Sequence, residues 1–185
     1  MSRRVAFKGH LLGKCLAGSY PYRGPAAGGG CTYLCLDLDN HDGHADIDAR
    51  LRAVAATCRE AGLRPLYATS RSGTGVHVYL FLDAPVATEE AHNMGREILH
   101  AAGVWDRADV IPSARHPGGM GTLHALPLSP MAAPGGGILL DENFRPVLDP
   151  AAQVALLRGK ATSRAQASYS IHPSRTEPYS RTPCS

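Results

Sequence analysis

The feature that most constrains this chain is a change of hydrophobic period, repeated between residues 31 and 111. Over Cys31 to Asp39 the period is two, with Thr32, Leu34, Leu36 and Leu38 on one side and Tyr33, Cys35, Asp37 and Asp39 on the other. The spacing predicts a strand with one apolar face and a second face that ends in two carboxylates. From about Asp46 to Ala61 the period lengthens: Ile47, Leu51, Val54, Ala55 and Cys58 recur at helical spacing, with Asp46 as expected cap and Gly62 as stop. A short strand follows near Leu63 to Thr69, then turn chemistry at Ser70 to Gly75. Next comes a strand over Val76 to Leu82, in which Val76, Val78, Leu80 and Leu82 oppose His77, Tyr79 and Phe81. That pair reads as a hairpin. A second helix is expected from Thr88, as cap, to about Ala102, with Ala91, Met94, Ile98 and Leu99 as its stripe and Gly103 as its stop. A fourth strand is expected around Arg107 to Ile111.

The order β-α-β-β-α-β is that of the α+β, ferredoxin-like or RRM-like unit, whose strands lie in the order 4-1-3-2 with strand 1 antiparallel to both neighbours. The end of strand 1, carrying Asp37 and Asp39, then sits beside the start of strand 3, carrying His77, and the start of strand 4, carrying Asp109. Four residues distant in sequence are expected on one open patch, facing away from the helices. The core is expected over about residues 31–128, and past the fourth strand added strands are expected at Thr122 to Leu128 and in a hairpin near Ile138 to Leu148. A short helix is expected over Pro150 to Leu157. The expected organisation is one domain over residues 1–158 and a flexible basic tail over 159–185, poor in apolar residues and rich in Ser, Pro and Thr.

A chain of 185 residues, 44% hydrophobic, suffices for one packed core. Its formal charge of +3 is uneven: residues 160–185 hold four basic residues against Glu177, which leaves fifteen of each sign in residues 1–159. Residues 1–30 carry five basic residues and no acid, and end in the Gly-rich run Pro25 to Gly30. No stretch has the length of a membrane span or the pattern of a signal peptide, so the expectation is a cytoplasmic protein that does not act on membranes. Five cysteines without a CxxC pair suggest neither a disulfide framework nor a zinc ribbon. Cys31 and Cys35, four apart in a strand and so expected on one face, could hold zinc with His41 or His44. Small buried hydrophobes are the simpler reading.

Asp37 and Asp39 place two hard oxygen donors about 7 Å apart along one strand face, a spacing suited to Mg²⁺ or Mn²⁺ bound together with substrate phosphates. Ser70-Arg71-Ser72-Gly73-Thr74-Gly75-Val76-His77 joins a basic side chain, hydroxyls and glycines through which backbone amides can approach an anion. His77 then projects beside the acids. A second Gly segment, Pro117 to Gly121, is flanked by Arg115 and His116 and fits either a phosphate or template contact or a plain turn. Tyr79 and Phe81 either stack bases on an open sheet or lie covered by the C-terminal strands. His41, Asp42 and His44 fall in the loop after the acid pair.

Three segments, taken in order, resemble the archaeo-eukaryotic primase superfamily, above all the primase-polymerase domains of mobile elements and conflict systems. They are Leu34-Cys35-Leu36-Asp37-Leu38-Asp39, the Ser70 to His77 segment, and Gly119-Met120-Gly121-Thr122-Leu123-His124-Ala125-Leu126-Pro127-Leu128. His10-Leu11-Leu12-Gly13 and Gly18-Ser19-Tyr20-Pro21 are similar too, so the likeness runs over about residues 8–158. The resemblance implies a template-dependent nucleotidyltransferase with an RRM-like catalytic core, a DNA primase or polymerase joining NTPs or dNTPs on single-stranded DNA with two divalent ions, Mg²⁺ or Mn²⁺. It implies Asp37 and Asp39 as catalytic metal ligands, with Asp109 as third acid and Asp106 as the alternative. It implies His77 as a nucleotide contact, supported by Arg71, Ser72, Gly73 and Gly75. Arg115, His116 and Tyr79 are the expected template contacts, and a separately encoded helicase an expected partner. The chain departs from the family at Thr74, where many members carry Lys, and at Thr122, where Asn is common. Other classes compatible with the residues are a non-catalytic single-strand-binding module that stacks bases on Tyr33, Tyr79 and Phe81, a metal-dependent nuclease or cyclase on the same fold, and an inactive scaffold.

Overall fold

The structure is a computed structural model that describes residues 8–21, 29–39, 46–113 and 124–161. His41, Asp42, His44, Arg115, His116, the Gly run 117–121, Thr122 and most of the expected tail lie outside the described residues. In chain order the elements are β1 Gly18–Ser19, β2 Cys31–Leu38, α1 Ile47–Glu60, β3 Leu66–Thr69, β4 Val76–Val86, α2 Thr88–Ala101, β5 Asp109–Ile111, β6 His124–Ala125, β7 Leu139–Leu140 and α3 Pro150–Ala161. The main sheet has the order β5-β2-β4-β3-β7, and β1 pairs with β6 as a separate ribbon. All these pairings are antiparallel. The expected 4-1-3-2 order is therefore present, with β7 added outside β3. The hairpin expected near residues 138–148 is reduced to β7 and a single bridge from Leu140 to Pro146.

Period two sorts β2 and β4 onto two different cores. Leu34, Leu36, Leu38, Val76, Val78, Leu80 and Leu82 pack with α1 and α2 through Leu51, Val54, Cys58, Ala91, Met94, Ile98 and Leu99. Burying each such Leu or Ile side chain contributes about 1.5–3 kcal/mol. The approach of α2 is close enough to require glycine: a Cβ on Gly95 would meet Val110 Cγ1 at 2.5 Å and Leu36 Cδ2 at 3.1 Å. Both helices end as expected at a glycine with positive φ, Gly62 at 70° and Gly103 at 71°.

The starts of the helices differ from the sequence expectation. Asp46 stands at the N-cap of α1 but makes no side-chain cap hydrogen bond. Its carboxylate is drawn instead to two guanidiniums, with Oδ1 3.1 Å from Arg50 Nε and Oδ2 2.9 Å from Arg107 Nη1. At α2 the N-cap is Ala87, and Thr88 is the first helical residue. Its hydroxyl accepts a weak hydrogen bond from Cys31 Sγ at 3.8 Å. A register shift between Cys31 and Tyr33 also corrects the cysteine geometry. It turns Cys31 to the helix-side core while Cys35 lies in the core on the other face, so the two cannot share a zinc ion.

The sheet face away from the helices is not open. Cys35, Tyr79, Ile111, Leu66, Ala68 and Leu139 form a second core there, with Tyr33, Phe81, Leu128, Leu156 and Leu157 packed against it. Two glycine-bearing loops lock together beside it. Gly137 N–H donates to Ser70 O at 3.0 Å, Ala133 N–H to Arg71 O at 3.0 Å, and Thr69 Oγ1 to Gly135 O at 2.8 Å. Among the described residues no helix is long and apolar enough to cross a membrane.

Candidate active site

The acid end of the sheet is built by register. Asp37 on β2 is paired with His77 on β4 to one side and with Asp109 on β5 to the other. Directly opposed residues of antiparallel strands project to the same face, so all three stand on the face away from the helices. His77 Nε2 lies 3.3 Å from Asp37 Oδ1, and His77 Nδ1 shares a hydrogen bond with the Tyr79 hydroxyl at 3.1 Å. Asp37 Oδ1 is buried and makes no hydrogen bond among the described residues. His77 is itself buried, 7% exposed. The expected patch exists as a row of residues, but its imidazole is covered and only Asp109 is exposed.

Asp39 follows at the end of β2 and turns toward the Ser70–Gly75 loop. A Cβ on Gly75 would lie 3.2 Å from Asp39 Oδ1, 2.9 Å from Leu38 O and 3.3 Å from Ser70 Oγ, so glycine makes room for the carboxylate. The loop's hydroxyls form a chain, Ser70 Oγ to Ser72 Oγ at 2.9 Å and Ser72 Oγ to Thr74 Oγ1 at 2.9 Å. Its amides are largely committed inside the loop: Gly75 N–H donates to Ser70 Oγ at 3.0 Å and Gly73 N–H to Ser70 O at 3.0 Å. The amides of Gly73 and Gly75 therefore shape the loop and are not an open anion cradle. Gly73 supplies the turn with φ 80°. Arg71 and Ser72 are exposed on it.

Sequence reasoning missed a residue that organises this end. Arg50, on α1 and only 6% exposed, donates through Nη1 to Asp39 O at 3.1 Å and to Arg107 O at 3.0 Å. One guanidinium thus joins the end of β2 to the segment that leads into β5 and Asp109. The i,i+4 pair Asp46–Arg50 was the available signal.

Tyr79 is corrected as a template contact. It is 4% exposed, lies beneath the ribbon, and burial pushes its phenol well above its ordinary pKa, with Cys35, Tyr33 and Asp37 adding to the effect. Its ring is packed 5.6 Å from that of His124 on β6, which also lies 6.0 Å from the His77 ring and 5.8 Å from that of Tyr33. His124 is 6% exposed, and among the described residues neither of its ring nitrogens has a hydrogen-bond partner. Burial, with His77 adding to it and Asp37 opposing it, lowers its pKa from 6.5 to about 4. The contrast with His10 is instructive. His10 is fully buried, donates from Nε2 to Pro127 O at 2.8 Å and accepts at Nδ1 from Ala17 N–H at 3.0 Å.

The chemistry of the acids is that of ligands to a hard divalent cation. Asp37 and Asp109 oppose each other across β2 and β5, where like charges repel, and their oxygens are the donors such a cation takes. Among the described residues no three His, Cys, Asp or Glu side chains form a ready-made metal cluster. Asp109, not Asp106, is the acid in register with Asp37; Asp106 lies exposed in the turn before β5. A cavity of about 630 Å³, lined by Arg59, Leu63, Tyr67, Glu142 and Leu156 among others, touches none of these acids.

Compared with known proteins, residues 2–168 match the family described as the TOTE conflict system, Archaeo-Eukaryotic Primase domain. A search of curated proteins finds no match.

Proposed function

Because the chain belongs to the archaeo-eukaryotic primase domain family of TOTE conflict systems, a family of primase-like nucleotidyltransferases with this α+β fold, we propose that it joins NTPs or dNTPs along a single-stranded DNA template. The supporting observation is the cross-strand row His77–Asp37–Asp109 at the end of β2 that also carries Asp39. Asp37, Asp39 and Asp109 would hold Mg²⁺ or Mn²⁺. A cation held there would supply neutralisation of the triphosphate and of the leaving pyrophosphate, and a lower pKa for the attacking hydroxyl.

The chain's own residues do the positioning. Tyr79 fixes the His77 ring through Nδ1 and leaves Nε2 toward Asp37, where a substrate phosphate would meet it. Arg71 and the Ser72 hydroxyl offer charge and hydrogen bonds to the triphosphate from the locked loop. Arg50 sets the distance between the acid-bearing strand ends. The burial of Tyr79 removes a main stacking residue from the reading as a passive single-strand binder.

Incubation with single-stranded DNA, nucleoside triphosphates and Mg²⁺ or Mn²⁺ should give extended or newly primed strands, and chelation should stop it. The Asp37→Ala, Asp39→Ala double variant should lose on the order of 10³-fold or more in rate. Synthesis that survives in that variant ends this reading.

A further inference from the structure

The chain contains one tryptophan. That residue, Trp105, is 42% exposed and lies in the connection from α2 to β5. An exposed indole is ordinarily free to change rotamer; this one is held. The His100 ring stacks on it at 5.2 Å between centroids and 15° between planes. The Arg96 guanidinium carbon lies 5.5 Å from the ring centroid, and Arg96 Nη1 donates to Trp105 O at 3.1 Å. Arg96 Nη2 and His100 Nε2 are 3.2 Å apart. Partners in contact with each other cannot straddle the indole, since opposite faces would hold them apart by both stand-off distances together. Both therefore back one side of the ring, and the opposite side is free of these two partners in a residue 42% exposed.

We propose that Trp105, backed by His100 and Arg96, is a stacking platform for a base of single-stranded nucleic acid. Every base has a π-face, and a rigid aromatic beside a cation is the arrangement that holds single strands. A protein partner fits less well, because an interface core needs a contiguous apolar patch. Trp105 is the one large hydrophobic exposed among residues 46–113.

The location suits a strand that runs to the acids. Asp109 lies four positions after Trp105, a span of at most about 14 Å. Between them, Arg107 O is held by the same guanidinium that holds Asp39 O. The local charge is mixed: Glu97 and Asp106 are exposed nearby, and Arg107 is paired with Asp46 at 2.9 Å. Stacking, more than net charge, is what this surface offers.

The identity of the partner rests on the proposed template, but the readout does not depend on synthesis. All tryptophan emission of the full chain comes from Trp105, so a short oligo(dT) titrated in chelator without triphosphate should quench it saturably. The same oligonucleotide annealed to its complement, with its bases stacked internally, should not. With a labelled oligo(dT), Trp105→Ala should bind about tenfold more weakly, and Trp105→Phe should recover most of that loss. Arg96→Gln should make the salt dependence shallower by about one unit of slope. Absence of binding, binding with unchanged emission, or wild-type affinity in Trp105→Ala each overturns the platform. Quenching without any synthesis would instead overturn the proposed activity and leave the platform standing.

Discussion

The two faces of the main sheet are made by the same strands and obey different rules. Toward the helices, β2 sends Leu34, Leu36 and Leu38, all fully buried, into a core so close-packed that α2 needs Gly95 to approach. Toward the ribbon, the intervening residues are Tyr33, Cys35 and Asp37. There Asp37 opposes Asp109, and His124 is buried with no partner for either nitrogen. An unsatisfied buried polar group costs about 1–3 kcal/mol, and like charges directly opposed cost a further fraction. A single strand thus supplies stability from alternate residues and gives some of it back from those between. Groups kept at such a cost are what the proposed activity would call for at this end of the sheet.

The largest test of this contrast is Leu36→Ala. It should lower stability by about 2–5 kcal/mol, read from urea or thermal unfolding. A loss as small as that of a surface change would mean the helix-side core is not the source of stability. The second test is on the opposite face. His124 titrates near 4 when folded and near 6.5 when unfolded, so the unfolded chain binds the proton more readily between those values. Stability should be complete above about pH 6.5 and fall as the pH drops toward 4, by up to about 3 kcal/mol. His124→Phe should flatten that limb in urea unfolding repeated across the range; an unchanged limb would assign the acid sensitivity to other groups. The smallest expected effect has the opposite sign. Asp37→Asn relieves the opposition with Asp109 and should raise stability by about 0.2–1 kcal/mol while synthesis collapses. A destabilised Asp37→Asn protein would show that this face contributes to stability after all.

Much of this was legible in the sequence, because period two and period 3.6 are consequences of geometry that any packed core enforces. The alternation over residues 31–39 and 76–82 placed Asp37 and His77 on one side, and the order of elements brought Asp109 beside them. What escaped detection depended on contacts between segments. The shift at Cys31 breaks the alternation at one residue and is invisible to a pattern read from outside. The cap bond expected of Asp46 is missing because that carboxylate has better partners in Arg50 and Arg107, the latter 61 residues away. For Tyr79 the sequence left stacking and cover both open, and only the contact with His124 on β6 decides for cover. Arg50 reads as one more polar residue beside a helical stripe, and only the folded chain shows it reaching two carbonyls.

That arginine has a consequence of its own. β5 is three residues long, too short a ladder to hold its place firmly by pairing alone. The gap across which Asp109 faces β2 is gauged by one planar cation reaching from α1: Nη1 of Arg50 bonds the carbonyls of both Asp39 and Arg107 while its Nε stays beside Asp46, a two-ended geometry that the single nitrogen of lysine does not reproduce. A conservative exchange there would leave every acid in the chain untouched and still detune the distance on which they cooperate.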